Sequence, residues 1–232
     1  MARVAPGTAI TPAAGVTRGP VGHDDRLLIF DLGGVLVDWD PRHLMASVID
    51  DAARLEWFLA HVCSEDWLGP VDRGEPFADA VARRQAAFPA WAVEIDTYAR
   101  RWPEMVRGAI PGTEELLRDL HAAGVALSAL SNWPADTFGV ARERFAVLEV
   151  FTDVVVSGFV GLTKPDPAIY RLALERAGRR PEECVFVDDR AVNVAAAEAL
   201  GLEGIRFTDA PALRAHPTVA ARLDPGTARG AR

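Results

Sequence analysis

Asp31 follows the apolar run Leu27-Leu28-Ile29-Phe30 and leads straight into Gly33-Gly34, within LLIFDLGGVLVDWDP. A carboxylate at the end of a buried strand costs free energy unless a cation, a metal or hydrogen-bond donors meet it there. The residues suited to meet it are distant in sequence: Ser131 and Asn132 after VALSAL, and Asp188 with Asp189 at the end of CVFVDD. Lys164 joins them as the single lysine among 25 basic residues. Arginine has replaced lysine wherever either serves, so a position that keeps the compact ammonium is one where a planar fork is no substitute, the rival being a surface lysine that survived by chance.

Five short apolar segments must position these side chains. LLIF at 27 to 30, VALSAL at 125 to 130, DVVVSG at 153 to 158, CVFVDD at 184 to 189 and GIRF at 204 to 207 read as buried strands of a parallel sheet. Helical patterns separate them. TEELLRDLHAAG starts with Thr113 as the expected N-cap and stops at Gly124. DPAIYRLALERAG offers Asp166 as N-cap, Pro167 at the first helical position and Gly178 as terminator, and NVAAAEALG closes at Gly201. Strand and helix alternation implies an α/β fold, a Rossmann-like parallel sheet core with helices on both faces. Ligands of such folds bind at the carboxyl ends of the strands, where Asp31, Ser131, Asn132, Asp188 and Asp189 fall.

Between Pro41 and about Val106 the pattern is helical without strands, which predicts a helical cap inserted after the first strand, placed to close over the site. HLMASVIDDAARLEWFLAHV, FADAVARRQAAF and VEIDTYARRWPEMV read as its helices. SEDWLGPVDRGEPF at 64 to 77 carries Gly69, Pro70, Gly74 and Pro76 and reads as a loop facing the site. Arg73 in that loop is a candidate to hold a second part of the substrate, its rival role being a solvated surface arginine, and His43 and Trp67 are further candidate contacts. The expected layout is a flexible leader at 1–25, a core at 26–40 and 107–208, the cap at 41–106 and a weakly patterned tail at 209–232 expected to fray.

Four motifs stand in order: DLGGVLVD at 31 to 38, LSN at 130 to 132, TKPDPAIY at 163 to 170 and VFVDDRAVN at 185 to 193. Together they resemble the haloacid dehalogenase-like hydrolases, in the subgroup with a helical cap. The resemblance implies that Asp31 is the nucleophile, forming an aspartyl-phosphate in a phosphatase or an aspartyl ester in a dehalogenase. It implies that Asp31, the Gly33 carbonyl, Asp188 and Asp189 hold Mg²⁺, a hard cation that takes few carboxylates and keeps several waters. It also makes Ser131 and Lys164 catalytic, and Ser131, Asn132, Lys164 and Arg73 substrate-binding. Asp188 and Asp189 alternatively begin the next helix, Asn132 alternatively fixes its loop, Asn193 orients an aspartate or merely starts a helix, and Tyr170 reads as a packed residue.

Phosphatases of this family commonly carry a second aspartate two residues after the nucleophile, as general acid and base, where this sequence has Gly33. Loss of such a group costs about 10²- to 10⁴-fold when the leaving group needs a proton. The leading expectation is a Mg²⁺-dependent phosphatase of small, sugar-phosphate-like metabolites. The alternatives are a 2-haloacid dehalogenase, whose halide leaves without a proton, and a catalytically weak phosphate-binding regulatory protein.

The net charge of −8 disfavours nucleic acid and anionic membranes as partners and leaves a small molecule, which the resemblance makes a phosphorylated one. Cys63 and Cys184 are distant and form no metal or disulfide pattern, which fits a reducing cytoplasm, as a monomer or homodimer.

Overall fold

The computed structural model describes residues 25–224; the leader expected at 1–25 lies almost wholly outside them. Among the described residues there are seven strands: β1 (Leu27–Phe30), β2 (Val37–Trp39), β3 (Val106–Ala109), β4 (Leu127–Ser131), β5 (Val154–Val156), β6 (Cys184–Asp188) and β7 (Glu203–Arg206). Five form one sheet in the order β5-β4-β1-β6-β7, with every pairing parallel. All five strands expected from the apolar runs are present, within two residues at each end.

The chain runs outward from β1 through β4 to β5 and then returns to the other side of β1 for β6 and β7. That reversal opens a crevice at the carboxyl end of β1, the place where such sheets bind ligands. Strand periodicity assigns the two faces. Leu28 and Phe30 join one hydrophobic cluster, and Leu27 and Ile29 the other. Helix Thr113–Ala122 covers the first face with Leu116, Leu117 and Leu120. Helix Pro167–Ala177 covers the second with Ile169, Tyr170, Ala173 and Leu174. It begins at Asp166, which accepts a hydrogen bond from Ala168 N, and ends at Gly178 with φ +61°, as its sequence requires.

β2 and β3 pair antiparallel as a two-stranded stem, a feature the periodicity did not suggest. Every element between them is helical, so the first strand is indeed followed by a helical insertion. Its interior, including Met45, Phe58, Trp67 and Tyr98, belongs to the same cluster as the first sheet face.

Local structure departs from expectation in four places. The stretch from His43 to Val62 is not one helix: Arg42–Met45 ends early, and Asp51 caps a second start by accepting from Arg54 N at 2.7 Å. The loop expected at 64 to 77 contains the helix Glu65–Asp72, with Pro70 inside it. Proline removes the hydrogen bond to the carbonyl four residues back. That carbonyl, of Asp66, accepts from Arg83 Nη1 at 3.1 Å instead, a tertiary contact no local pattern contains. Thr113 is not the cap of its helix; Gly112 holds that position at φ +82°, and Thr113 is buried as the first helical residue. The tail expected to fray forms helices Ala210–Ala215 and Pro217–Leu223, held by the buried residues Ala210, Leu213 and Val219. Residues 225–232 lie outside the described region.

Candidate active site

Register brings the distant motifs together. Phe30 pairs with Ala129 on one side and Val187 on the other, so the residues that follow on β1, β4 and β6 emerge side by side. Asp31 N donates to Val187 O at 2.8 Å, which fixes the first residue beyond β1 against β6. The chain then folds back on itself. Leu32 O accepts from Leu36 N at 2.8 Å and Val37 N at 2.7 Å, and Gly34 stands at φ +73°. A Cβ on Gly34 would lie 2.6 Å from Asp189 Oδ2, so this glycine lets the backbone approach that carboxylate. Gly33 differs, since a Cβ there meets nothing within 4 Å.

Asp31 is buried. Its Oδ1 accepts from Leu32 N at 2.7 Å and lies 2.9 Å from Lys164 Nζ. Both contacts go to one oxygen, which leaves Oδ2 for other chemistry. Lys164 is itself 3% exposed, and Nζ also donates to Leu130 O at 2.9 Å and Asp188 Oδ2 at 2.7 Å. Three donors meet three acceptors, two of them carboxylates, around one buried nitrogen. A guanidinium cannot point its planar donors in those directions, which accounts for the one lysine in an arginine-rich chain.

Asp188 is fully buried and held on every side. Beyond Lys164, it accepts from Arg190 N at 2.8 Å and from Asn193 Nδ2 at 3.0 and 3.1 Å. Asn193 is thus both in the first turn of helix Ala191–Glu198 and a donor to the aspartate, while Tyr170 packs on Phe186 and donates to Asn193 O at 2.9 Å. Asp189 is half-buried and faces the cavity, without comparable bonds. Ligand oxygens of Asp31, Asp188 and Asp189 lie within 4.8 Å of one another. Burial pushes the Asp31 carboxyl up to about 7, with Lys164 opposing and Asp188 reinforcing the shift. Burial and then Asp188 likewise raise Asp189. Three carboxylates around a single ammonium carry surplus negative charge, and their hard oxygens suit a divalent cation such as Mg²⁺.

Asn132 exchanges two hydrogen bonds with the backbone of Lys164, donating to its oxygen at 2.9 Å and accepting from its nitrogen at 2.8 Å. It therefore fixes the lysine loop, although it also lines the cavity. Ser131 ends β4 beside β1; its hydroxyl is buried without a hydrogen-bond partner.

These residues open into a cavity of about 550 Å³. Asp31, Gly33, Asn132, Lys164, Asp189, Arg190 and Asn193 line one part of it, and Trp39, Glu65, Leu68, Asp72, Phe77, Tyr98, Trp102 and Trp133 another. Arg73 is not in the lining: it is the residue after helix Glu65–Asp72 and is exposed, so the expectation that it holds substrate is corrected, because a helix rather than a loop presents this segment. His43 bonds to Asp38 Oδ1 at 2.9 Å, and Trp67 is core, packed on Tyr98. Sequence reasoning missed Arg190, although it directly follows the aspartate pair. It also missed Glu65 and Asp72, whose approach depends on the unexpected helix, and the three tryptophans, whose spacing in sequence carries no shared signal.

A family profile described as haloacid dehalogenase-like hydrolase matches residues 26–201. The chain is 32% identical over 184 residues to a sesquiterpene phosphatase of Aspergillus oryzae, covering 78% of this chain and 89% of that protein. It is 26% identical over 204 residues to the phosphoglycolate phosphatase of Pseudomonas putida, covering 79% and 69%. Among solved structures it is similar to a haloacid dehalogenase family enzyme of Bacteroides thetaiotaomicron in complex with magnesium and inorganic phosphate, at TM-score 0.61 and 20% identity, covering 80% of this chain and 95% of that one.

Proposed function

Because the chain belongs to the haloacid dehalogenase-like hydrolases, we propose that this member is a Mg²⁺-dependent phosphatase that works through an aspartyl-phosphate on Asp31. The observation that carries the reading is the cluster of buried Asp31 and Asp188 with half-buried Asp189 beside one lysine, with donor oxygens within 4.8 Å. Two named relatives are phosphatases, which supports the reaction class; they act on different organic groups and so do not choose the substrate.

Asp31, Asp189 and the carbonyl of Gly33 would hold the ion, with Asp188 behind them. When bound, Mg²⁺ supplies positive charge that offsets repulsion between a carboxylate nucleophile and a phosphate dianion. Leu32 N and Lys164 grip Oδ1 of Asp31, so Oδ2 is aimed at phosphorus. Attack forms the Asp31–phosphorus bond as the ester oxygen departs with its electron pair. Water then cleaves the new bond, releasing phosphate and restoring the carboxylate. Ser131, with its unpartnered hydroxyl, would donate to a phosphoryl oxygen. Lys164 neutralises Asp31 and Asp188 and holds the nucleophile in line, and Asn132 keeps that lysine's loop in place.

Gly33 offers no proton, the observation that favours the second reading, a dehalogenase whose halide leaves unprotonated. The surplus carboxylate at Asp189 weighs against it, because without a cation it places like charges beside the nucleophile. A panel of phosphate monoesters and 2-haloacids, assayed with Mg²⁺ and with chelator, tests both. Phosphate release that needs Mg²⁺ and falls at least about 10³-fold in Asp31→Asn is expected. Halide release in chelator would overturn the phosphatase reading.

A further inference from the structure

Much of the cavity lining contributed outside the aspartate cluster is aromatic or aliphatic. Trp39, from β2, stacks on Trp102 with ring centroids 6.3 Å apart and an interplanar angle of 28°. Trp102 in turn meets Trp133, which follows β4, at 5.4 Å. Leu68, Phe77 and Tyr98 from three helices of the insertion complete this surface.

The charges of the lining are segregated. Its two cations, Lys164 and Arg190, both stand on loops of the sheet core, beside the aspartate cluster. The insertion contributes only acids, Glu65 and Asp72, to the same lining. The insertion supplies no cation to a second anionic group on the substrate, and Arg190, the one further cation of this lining besides Lys164, already faces Asp72. A sugar would need many hydrogen-bond partners to replace its hydration, and on this side of the lining only the carboxyls of Glu65 and Asp72 and the hydroxyl of Tyr98 stand among the rings and Leu68.

We infer that the organic group of the substrate is an alkyl or aryl hydrocarbon, with neither a second anion nor a polyol, and that it lies along Trp39, Trp102 and Trp133. This deepens the phosphatase reading and rests on it for the position of the phosphate. The expectation of a sugar-like substrate gives way to this one, because the wall was invisible until three tryptophans from separate segments were brought together.

The test measures binding and turnover separately. Alkylphosphonates, whose carbon–phosphorus bond survives, are titrated into the wild-type protein with Mg²⁺, from ethyl through butyl, hexyl and octyl to decyl, and tryptophan fluorescence is followed. The affinity rises roughly fourfold per methylene until the wall is covered. The matching phosphate monoesters show the same slope in kcat/KM, and decyl phosphate exceeds both a hexose phosphate and a small phosphate ester that carries a carboxylate by at least about 10²-fold. In Leu68→Asn the ratio of decyl to ethyl efficiency drops by about tenfold; because this is a ratio, partial loss of folded protein cancels from it.

A flat phosphonate ladder, or preference for the hexose phosphate or the carboxylated ester, overturns the inference. Phosphate release with a flat ladder would overturn it while leaving the phosphatase reading intact. A rising ladder with no phosphate release from any ester would support the apolar site and overturn the phosphatase reading.

Discussion

The floor and the roof of this cavity are built on opposite principles. On the floor, most polar groups are paired within the protein: Lys164 has three acceptors, Asp188 takes bonds from Lys164, Arg190 N and Asn193, and Asn132 exchanges two bonds with the lysine loop. On the roof, aromatic rings pack on one another, and the carboxyl of Asp72 is pushed up to about 7 by burial, with Glu65 adding to the shift and Arg73 and Arg190 opposing it. A matched polar network in low dielectric has one favourable arrangement, whereas an apolar wall accepts many shapes of similar volume. On the proposed reading, chemistry belongs to the floor and choice of substrate to the roof.

The comparison breaks most severely at Lys164. Lys164→Met leaves Asp31 and Asp188 buried without their shared cation, and the expected cost is about 3–5 kcal/mol of stability at neutral pH. Urea denaturation measures it. Adding excess Mg²⁺ is expected to recover part of the loss, and lowering the pH is expected to shrink it as the carboxyls take up protons. An unchanged midpoint would mean that the floor is not the matched network described.

Gly33→Asp sharpens the comparison from the other direction. A Cβ there meets nothing within 4 Å and the position lines the cavity, so a side chain can begin at this position without displacing the floor. The variant is expected to gain about 10²-fold in kcat on alkyl phosphates, whose alkoxide needs a proton, and little on nitrophenyl phosphate, whose leaving group does not. Equal gains on both would show that the added group acts by something other than proton transfer.

The smallest expected effect is on the roof. Asp72 holds its proton more tightly in the folded chain, at about 7, than in the unfolded one, at about 3.9. Between those values the folded state binds more protons, so this residue makes stability fall as pH rises through that window. Asp72→Asn removes the penalty. The variant is expected to be more stable than wild type by on the order of 1 kcal/mol at pH 8 and little different at about pH 3, below both values, as read from thermal midpoints. A gain of equal size at both pH values would place its cause in packing rather than charge.

The parallel sheet was legible because each strand is a buried apolar run with turn residues at its ends, a pattern that strand burial imposes directly on composition. The helix Pro167–Ala177 was legible for a similar reason: Asp166, Pro167 and Gly178 act on backbone atoms within one turn of themselves. Helix Glu65–Asp72 was not, since the carbonyl that Pro70 orphans is satisfied by Arg83 from the next helix. The two helices after Asp209 were hidden too, because their few apolar residues are fixed by packing against the sheet domain rather than by a long amphipathic repeat. At the site, Asp31, Lys164, Asp188 and Asp189 stood out by type and position, and the structure brings their charged atoms into one cluster.

By itself, the sequence determined which strands build the parallel sheet and which ionisable side chains stand at their ends, because apolar runs, turn residues and a lone lysine act through local geometry and elementary electrostatics. Only the tertiary structure decided that Lys164 spends all three donors within the protein, that Arg73 stays outside while Asp72 comes in, and that Trp39, Trp102 and Trp133 form one wall. The physical reason is range. A hydrogen bond, a cap or a hydrophobic period is set by near neighbours in the chain, whereas the inner surface of a cavity is the meeting of distant segments, each of which is ordinary in isolation.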